Sequence, residues 1–214
     1  MSHTMALLII DMQRDFLDPD GYVARTGVDV TVLRAVIPQV RRLLLTARAV
    51  GVRVIHTREG HRPDLSDLSV VKYRRAARAG APIGSSGPLG RLLIRGEAGH
   101  AIIEELAPLG DETVIDKPGF GAFYATDLEL ILRTAGITSI TLAGVTTDIC
   151  VHSTLREAVD RGFDCTTVGD ACAAGDVSIH RAMLACIEGE GGILGRVAST
   201  NEIVAGWSSS EPPP

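Results

Sequence analysis

The stretch Leu142-Ala-Gly-Val-Thr-Thr-Asp-Ile-Cys-Val151 decides the fold of this chain and points to its chemistry. Apolar residues lead into it, Gly144 is expected to break the strand, and the threonines and aspartate are typical of a helix start. The pattern predicts a strand, a tight turn and a helix with Cys150 in its first turn. Free backbone N–H groups and the helix dipole favour a thiolate there, so Cys150 is a candidate nucleophile. The alternative is a buried cysteine that only packs.

The composition is that of an ordinary globular protein, with 214 residues, 45% hydrophobic residues and a net charge of −5. This length fits one domain, assigned to residues 1–207, with a disordered tail at 208–214. The short basic cluster of Arg74, Arg75 and Arg78 is interpreted as a solvated loop face, so no nucleic-acid partner is expected. No apolar run is long enough to span a membrane, and no membrane partner is expected.

The cysteines indicate the compartment. The chain has four, and none forms a C-x-x-C pair or a zinc-binding spacing. No secretory signal precedes the first predicted strand. These features predict a cytoplasmic protein with reduced thiols and a small molecule as its substrate.

Strand-like and helical segments alternate along the chain. Strands are predicted at residues 6–10, 52–57, 113–115, 139–143, 165–168 and 193–197. Helices are predicted at residues 32–44, with a close at Gly51, and at 128–135, 178–188 and 201–205, besides the helix of Cys150. This alternation predicts an α/β fold, a three-layer α/β/α architecture around a six-stranded, mostly parallel sheet.

Residues 58–100 interrupt the alternation with a long stretch of glycines, prolines and charges. Loops of this length are usually functional or disordered. We interpret the stretch as a cover over the site, with a short helix at residues 89–93.

Polar residues follow three of the predicted strands. Asp11 ends the first, Lys117 follows the third, and Cys150 follows the fourth. Because ligands bind beyond the carboxyl ends of parallel strands, these side chains are expected to converge. Together they supply the base, positive charge and nucleophile of covalent acyl transfer, although each alone has a structural explanation.

Three segments carry a resemblance to a known family: LIIDMQRDF at 8–16, DKPG at 116–119 and GVTTDIC at 144–150. They resemble the isochorismatase-like cysteine hydrolases, and the resemblance covers residues 6–205. It implies a six-stranded parallel sheet, a catalytic triad of Asp11, Lys117 and Cys150, and a cis peptide bond before Thr146. It also implies a homo-oligomer, either a tetramer or a dimer.

The resemblance suggests a mechanism. Lys117 is expected to lower the pKa of the Cys150 thiol, and Asp11 to take its proton. The sulfur then attacks a carbonyl carbon, and the backbone N–H groups of Thr146 and Cys150 hold the oxyanion.

Other segments indicate a subfamily: residues 21–23, 55–65, 126–130 and 191–192 resemble the biuret hydrolases. Biuret or triuret is therefore the expected substrate, with guanylurea, ureidoacrylate or an N-carbamoyl compound as alternatives. Phe16 is expected to wall the pocket, and Val145 and Thr146 to face the carbonyl. Glu190 stands where those hydrolases have glutamine, so it is predicted to bind a substrate with several N–H donors or a positive charge, such as guanylurea. The alternative for Glu190 is an exposed helix end.

No metal and no other cofactor is expected. Nicotinamidases of the same family hold a metal through an Asp-x-His pair and a further histidine, and His56, His61 and Asp64 do not match that spacing. A lone histidine in a loop is usually solvated.

The competing class is a non-enzyme, either a scaffold or a thiol redox sensor. A scaffold is expected to have lost a triad residue, whereas all three are present here. A sensor often has a second cysteine nearby, and the other cysteines fall on other predicted elements.

Overall fold

The computed structural model describes residues 4–209. Its strands are β1 (Met5–Ile10), β2 (Arg53–Glu59), β3 (Ser86–Gly87), β4 (Gly90–Arg91), β5 (Thr113–Lys117), β6 (Ser139–Val145), β7 (Asp164–Ala173) and β8 (Arg196–Ala198). Six of them form one sheet in the order β5-β2-β1-β6-β7-β8, and every pair in it is parallel. The remaining two, β3 and β4, form a small antiparallel hairpin.

The helices of the same region pack on both faces of this sheet. They are α1 (Arg14–Leu17), α2 (Tyr22–Arg25), α3 (Val30–Arg34), α4 (Ile37–Val50), α5 (Val70–Arg78), α6 (Leu128–Thr134), α7 (His152–Asp160), α8 (Val177–Glu188) and α9 (Thr200–Ser209). None of these helices combines the length and the apolar character that a membrane crossing requires.

Strand β1 shows why the sheet is covered on both sides. Its side chains alternate, so Leu7 and Ile9 join the apolar cluster beneath α4 and α9. Leu8 and Ile10 join a second cluster on the opposite face, beneath α6 and α7. A strand buried on both faces needs a continuous apolar run, and β1 supplies one. The predicted three-layer α/β/α architecture is confirmed.

Gly144 lies inside β6, which continues through Val145, so the predicted strand break is wrong. Its φ is +120°, and a side chain there would place a Cβ 2.2 Å from the carbonyl oxygen of Ile10. Only glycine permits this close approach of β6 to β1. The turn that carries Cys150 is thereby held beside the residue that follows β1.

Two predicted helix boundaries need correction. The helix predicted at 32–44 is split, because Ala35 and Val36 separate α3 from α4. Helix α4 does end at Gly51, which is in the left-handed conformation with φ 76°. Ser208 and Ser209 belong to α9 rather than to a tail, and residues 210–214 lie outside the described residues.

The stretch 58–100 is more ordered than the interpretation as a loop implies. It contains α5, whose first turn is capped by Ser69. The helix expected at 89–93 is wrong, because Gly90–Arg91 pairs with Ser86–Gly87 as a hairpin. The arginines of the basic cluster are exposed as expected, but they lie on α5 and not on a loop.

Candidate active site

Opposite charges meet at the carboxyl ends of strands β1 and β5. Asp11 follows β1, Lys117 ends β5, and β2 lies between these strands. Lys117 Nζ lies 2.7 Å from Asp11 Oδ2, and neither side chain has exposed surface. Lys117 Nζ also donates to the carbonyl oxygens of Gly119 at 3.1 Å and Phe120 at 2.9 Å. The ammonium is therefore fixed inside the protein.

The carboxylate of Asp11 is held in place by β2. The Thr57 hydroxyl donates to Asp11 Oδ1 at 2.5 Å and accepts from the Asp11 backbone N–H at 3.2 Å. Asp11 has a positive φ of 50°, which is uncommon outside glycine and turns the chain sharply at the end of β1. Thr57 thus fixes both the backbone and the side chain of Asp11.

Cys150 enters the same cluster from the turn after β6. The peptide bond between Val145 and Thr146 is cis, as the family resemblance implies. Residues Thr147–Val151 form one π-helical turn before α7, so Cys150 precedes the α-helix and does not lie in its first turn. The thiol is buried, with 2% of the residue exposed.

Glu59, which the sequence analysis does not single out, accepts a hydrogen bond from the thiol. Cys150 Sγ donates to Glu59 Oε2 at 3.3 Å. The same oxygen lies 3.6 Å from Lys117 Nζ. One oxygen of Asp11, one of Glu59 and Cys150 Sγ all lie within 4.8 Å of one another. The structure thus brings Asp11, Lys117 and Cys150 together, and it adds a second carboxylate.

The two carboxyl groups are electrostatically unequal. Burial and the charge of Glu59 raise the pKa of Asp11 above its ordinary value, against the opposing effect of Lys117. Burial also acts to raise the pKa of Glu59, but Lys117 and Lys72 outweigh it and hold that pKa below its ordinary value. Asp11 is therefore suited to exchange a proton, and Glu59 is suited to remain ionised.

The thiol is not the preformed thiolate that the sequence analysis expects. Burial raises the pKa of Cys150 well above its ordinary value; Lys117 acts to lower it, and the charges of Asp11 and Glu59 raise it further. The sulfur therefore keeps its proton and donates a hydrogen bond to Glu59. Burial would lower the pKa of Lys117, but the surrounding negative charges raise it above its ordinary value, so Lys117 stays charged.

Helix α5 covers this cluster through Lys72. Its ammonium lies 2.6 Å from Glu59 Oε1, donates to the Pro118 carbonyl at 2.6 Å and lies 4.9 Å from the centre of the Phe120 ring. A cleft of about 390 Å³ opens on the outer side of Lys72, between α5, the 118–121 loop and α7. Lys72 thus stands between the cleft and the Glu59–Cys150 pair.

Aromatic side chains from the start of the chain lie near the cluster. Phe16 is buried in α1, with its ring centre 6.5 Å from that of Tyr22. Burial and the nearby charges of Glu59 and Cys150 raise the pKa of Tyr22 to about 12. Tyr22 is therefore a further candidate for contact with a ligand, which the sequence analysis missed.

The structure does not bring Glu190 to this cluster. Helix α8 runs back from the carboxyl end of β7, and Glu190 follows it in a short turn. The neighbours of that turn line a surface depression with Asp164 and Arg196, the first residues of β7 and β8. Glu190 is exposed at the opposite edge of the sheet, as the alternative interpretation has it.

The cation in the cluster is a lysine. Asp11, Glu59 and Cys150 offer ligand atoms close enough to share a metal ion. However, Lys117 Nζ contacts both carboxylates and supplies the positive charge that balances them. We therefore assign no metal to this site. The expectation that the loop histidine His61 is solvated is wrong, because it is buried against Asp67.

Comparisons with known proteins agree with this geometry. A family model described as the Isochorismatase domain matches residues 5–201. The ureidoacrylate amidohydrolase RutB of Methylobacterium radiotolerans is 33% identical over 198 residues, which covers 86% of this chain and 73% of that protein. RutB of Acinetobacter baylyi is 31% identical over 191 residues, with 84% and 75% covered.

Solved structures show the same fold. A cysteine hydrolase from Pseudomonas syringae pv. phaseolicola superposes with a TM-score of 0.81 at 28% identity, covering 96% of this chain and 93% of that one. The N-carbamoylsarcosine amidase of Thermoplasma acidophilum has a TM-score of 0.71 at 23% identity, a likeness of fold alone. The family match extends from β1 to the start of α9 and includes all the strands of the parallel sheet. The chain belongs to the isochorismatase family.

Proposed function

We propose that this protein is a cysteine-dependent amidohydrolase that cleaves a C–N bond of a small ureide through a covalent thioester. One observation carries the proposal. A buried thiol lies 3.3 Å from one carboxylate and within 4.8 Å of a second, which a buried ammonium contacts at 2.7 Å. A nucleophile, a proton acceptor and a fixed positive charge in one water-poor place are the requirements of nucleophilic acyl transfer.

The reaction begins with the transfer of the Cys150 proton to Asp11 while the sulfur bonds to the carbonyl carbon. The carbonyl electron pair moves onto oxygen. When the tetrahedral intermediate collapses, the C–N bond breaks, and the leaving nitrogen takes the proton from Asp11 and departs as ammonia or an amine. Water then adds to the thioester, again giving its proton to Asp11, and the sulfur recovers that proton as the C–S bond breaks.

The backbone around the cis peptide bond is assigned to the oxyanion. The N–H groups of Thr146 and Cys150 are proposed to hold the developing charge, with Val145 and Thr146 facing the carbonyl. Lys117 offsets the negative charge that forms on the sulfur. Phe16 is proposed as a wall of the pocket.

Ureidoacrylate is the first substrate to test. Two curated relatives with that activity in their names are 33% and 31% identical to this chain. Ureidoacrylate carries a carboxylate, and the cleft outside the cluster is lined by the cations Lys72 and Arg75 as well as by the carboxylates of Asp67 and Glu157. These side chains offer a place for the negative end of such a molecule.

Biuret is the second candidate. The stretch 55–65, which resembles the biuret hydrolases, contains Glu59, the carboxylate in contact with the thiol. Guanylurea has less support, because the argument for it depended on Glu190, and that residue lies at the other edge of the sheet.

A redox sensor is disfavoured by the state of the thiol. Sensor cysteines are exposed and have a low pKa, whereas Cys150 is buried and its pKa is raised. The alternative predicts reversible oxidation without turnover.

An ammonia-release screen tests the proposal. The panel contains ureidoacrylate, biuret, triuret, guanylurea, N-carbamoyl amino acids and nicotinamide. We expect catalytic release from at least one ureide and none from nicotinamide. No release from any ureide by folded protein would overturn the proposal.

A further inference from the structure

Glu59 is a buried carboxylate that the proposed thioester chemistry does not need. Asp11 already serves as the proton carrier, and Lys117 already balances its charge. Even so, two hydrogen bonds from one buried side chain fix the backbone of Glu59. The side chain of Gln13 accepts from the Glu59 backbone N–H at 2.7 Å and donates to the Glu59 carbonyl oxygen at 3.0 Å.

The two oxygens of Glu59 face different partners. Oε1 lies 2.6 Å from Lys72 Nζ, on the side of the cleft. Oε2 points into the cluster, 3.3 Å from Cys150 Sγ and 3.6 Å from Lys117 Nζ. Oε2 accepts a hydrogen bond from the protonated thiol. Once the thiol proton has moved to Asp11, Oε2 can accept a hydrogen bond from the molecule that the sulfur attacks.

The position of the attacked carbon follows from the sulfur. A carbon about to react lies roughly 3 to 3.5 Å from the nucleophile. Its three substituents are then all close to the cluster, and the oxygen is taken by backbone N–H groups. The carboxylates of Asp11 and Glu59 lie beside the same sulfur, with Glu59 Oε2 at 3.3 Å from it, so both are within reach of the other two substituents. An ionised carboxylate can only accept a hydrogen bond, so each favours an N–H group.

We infer that Glu59 is a specificity-determining residue that accepts a hydrogen bond from the nitrogen retained on the attacked carbonyl. The protein then prefers ureides, in which nitrogen flanks the carbonyl on both sides, to carboxamides with carbon on one side. This inference rests on the proposed function and names its substrate class. A buried acceptor left without a donor is costly, which is why such a site rejects the analogue that lacks the N–H.

A simpler role for Glu59 is to hold α5 through Lys72. The two roles make different predictions. A tether affects all substrates alike, because it changes the closure of the site and not the recognition of one atom. A hydrogen-bond acceptor discriminates between substrates that differ in a single N–H group.

The experiment compares matched substrates in the wild type and three variants. Biuret and malonamide differ only by a central NH in place of CH2, and hydantoate and succinamate differ in the same way. Glu59→Leu removes the acceptor, and Lys72→Met removes the tether while keeping the carboxylate. The double variant Glu59→Met/Lys72→Met removes both charges and the carboxylate acceptor with little change in side-chain length, and it replaces Glu59→Leu if that variant fails to fold.

The measured quantity is the ratio of kcat/KM for the ureide to that for its matched amide. We expect the wild type and Lys72→Met to favour the ureide by about 10- to 100-fold, the worth of a hydrogen bond to a charged group. In Glu59→Leu, and in the double variant, that ratio falls towards one because the ureide rate drops. An unchanged ratio in the Glu59 variants, or a wild type that does not discriminate, would overturn the inference while leaving the amidohydrolase proposal intact. If another ureide of the ammonia-release panel is hydrolysed but neither pair is, the inference alone is overturned; if no ureide is hydrolysed, the proposed function itself fails.

Discussion

Charged side chains cluster at both ends of the β2–β5 strand pair, and the two clusters differ in how their charges are paired. At the amino end of β5, Glu112 accepts from Arg48 at 2.7 and 2.8 Å and lies 3.1 Å from His56 Nε2. We name this set the Glu112 cluster. At the carboxyl end, Asp11, Glu59, Lys117 and Cys150 form what we name the Cys150 cluster. Both are networks of short contacts, but only one leaves a proton free to move.

In the Glu112 cluster the carboxylate stays ionised near neutral pH. Burial alone would raise the pKa of Glu112, but hydrogen bonds from Arg48, the Leu109 N–H and His56 lower it to about 2. Its carboxylate has partners for both oxygens and no role for a proton near neutral pH. In the Cys150 cluster two carboxylates share one lysine, and the pKa values of Asp11 and Glu59 shift in opposite directions. The cluster whose two carboxyl groups differ in pKa is the candidate for proton transfer. The cluster whose carboxylate has hydrogen-bond partners on both oxygens is expected to stabilise the fold.

The largest expected effect comes from the sulfur. Cys150→Ser should keep the fold and lower turnover by at least about 1,000-fold, because a serine hydroxyl is a far weaker nucleophile without a stronger base. The matched control is Cys165→Ser, a buried cysteine at the amino end of β7, which should retain most of the activity of folded protein. Ammonia release from the best ureide measures both. Near-parental rates in Cys150→Ser would contradict the mechanism.

The next effect tests the shared lysine. Lys117→Met leaves the buried carboxylate of Asp11 without a cation, while Glu59 keeps Lys72, so unfolding should become easier by about 3 to 5 kcal/mol. Adding Asp11→Asn removes the unpaired charge and should recover part of that stability, but no activity. Urea denaturation at pH 7 measures the free energy of unfolding of each variant. A single variant as stable as the wild type would show that Asp11 does not depend on Lys117.

Sequence reasoning predicts that Asp11, Lys117 and Cys150 converge because they lie at or beyond the ends of short apolar strands, where the rule on carboxyl ends applies. The same rule reaches Glu59, the last residue of β2. It was missed because Arg58-Glu59-Gly60 was interpreted as the start of a polar loop. The sequence analysis does not predict helix α5 for a different reason: it is short, rich in charge and buries only Ala76, so it was included in the long polar stretch.

Other sequence predictions are wrong because they depend on where the folded chain places a residue. Glu190 was assigned to the pocket from its place before Gly191-Gly192, but the direction of α8 puts it at the far edge of the sheet. Burial is the main cause of the raised pKa of Cys150, and the charges of Asp11 and Glu59 add to it; spacing along the chain reveals neither the burial nor the second carboxylate. Local sequence predicts which residues end strands, but not which other charges the folded chain adds to them.

A smaller effect is expected at the Glu112 cluster. Glu112→Gln should lower the free energy of unfolding at pH 7 by about 1 to 3 kcal/mol and leave the ureide kinetics unchanged. The native pKa of Glu112 is lowered from 4.5 to about 2, so its stabilisation is fully present above pH 4.5 and is lost as the pH falls towards 2. The difference between wild type and variant should therefore shrink across that range. Urea titrations at pH 7, 4 and 3 measure it, and a difference independent of pH would contradict this account.

The smallest effect concerns the charge of Glu59 on the thiol. Because that charge raises the pKa of Cys150, Glu59→Gln should increase the thiolate fraction at pH 8 and speed alkylation by iodoacetamide between about threefold and tenfold. The ratio of the two rates should stay constant while the pH remains well below both pKa values, because the two thiolate fractions then rise in parallel. Peptide mass spectrometry follows each cysteine separately, and Cys165 in the same sample reports any general loosening. Equal acceleration at both cysteines would mean that the variant opened the fold, and no acceleration at Cys150 would mean that Glu59 does not act on the sulfur.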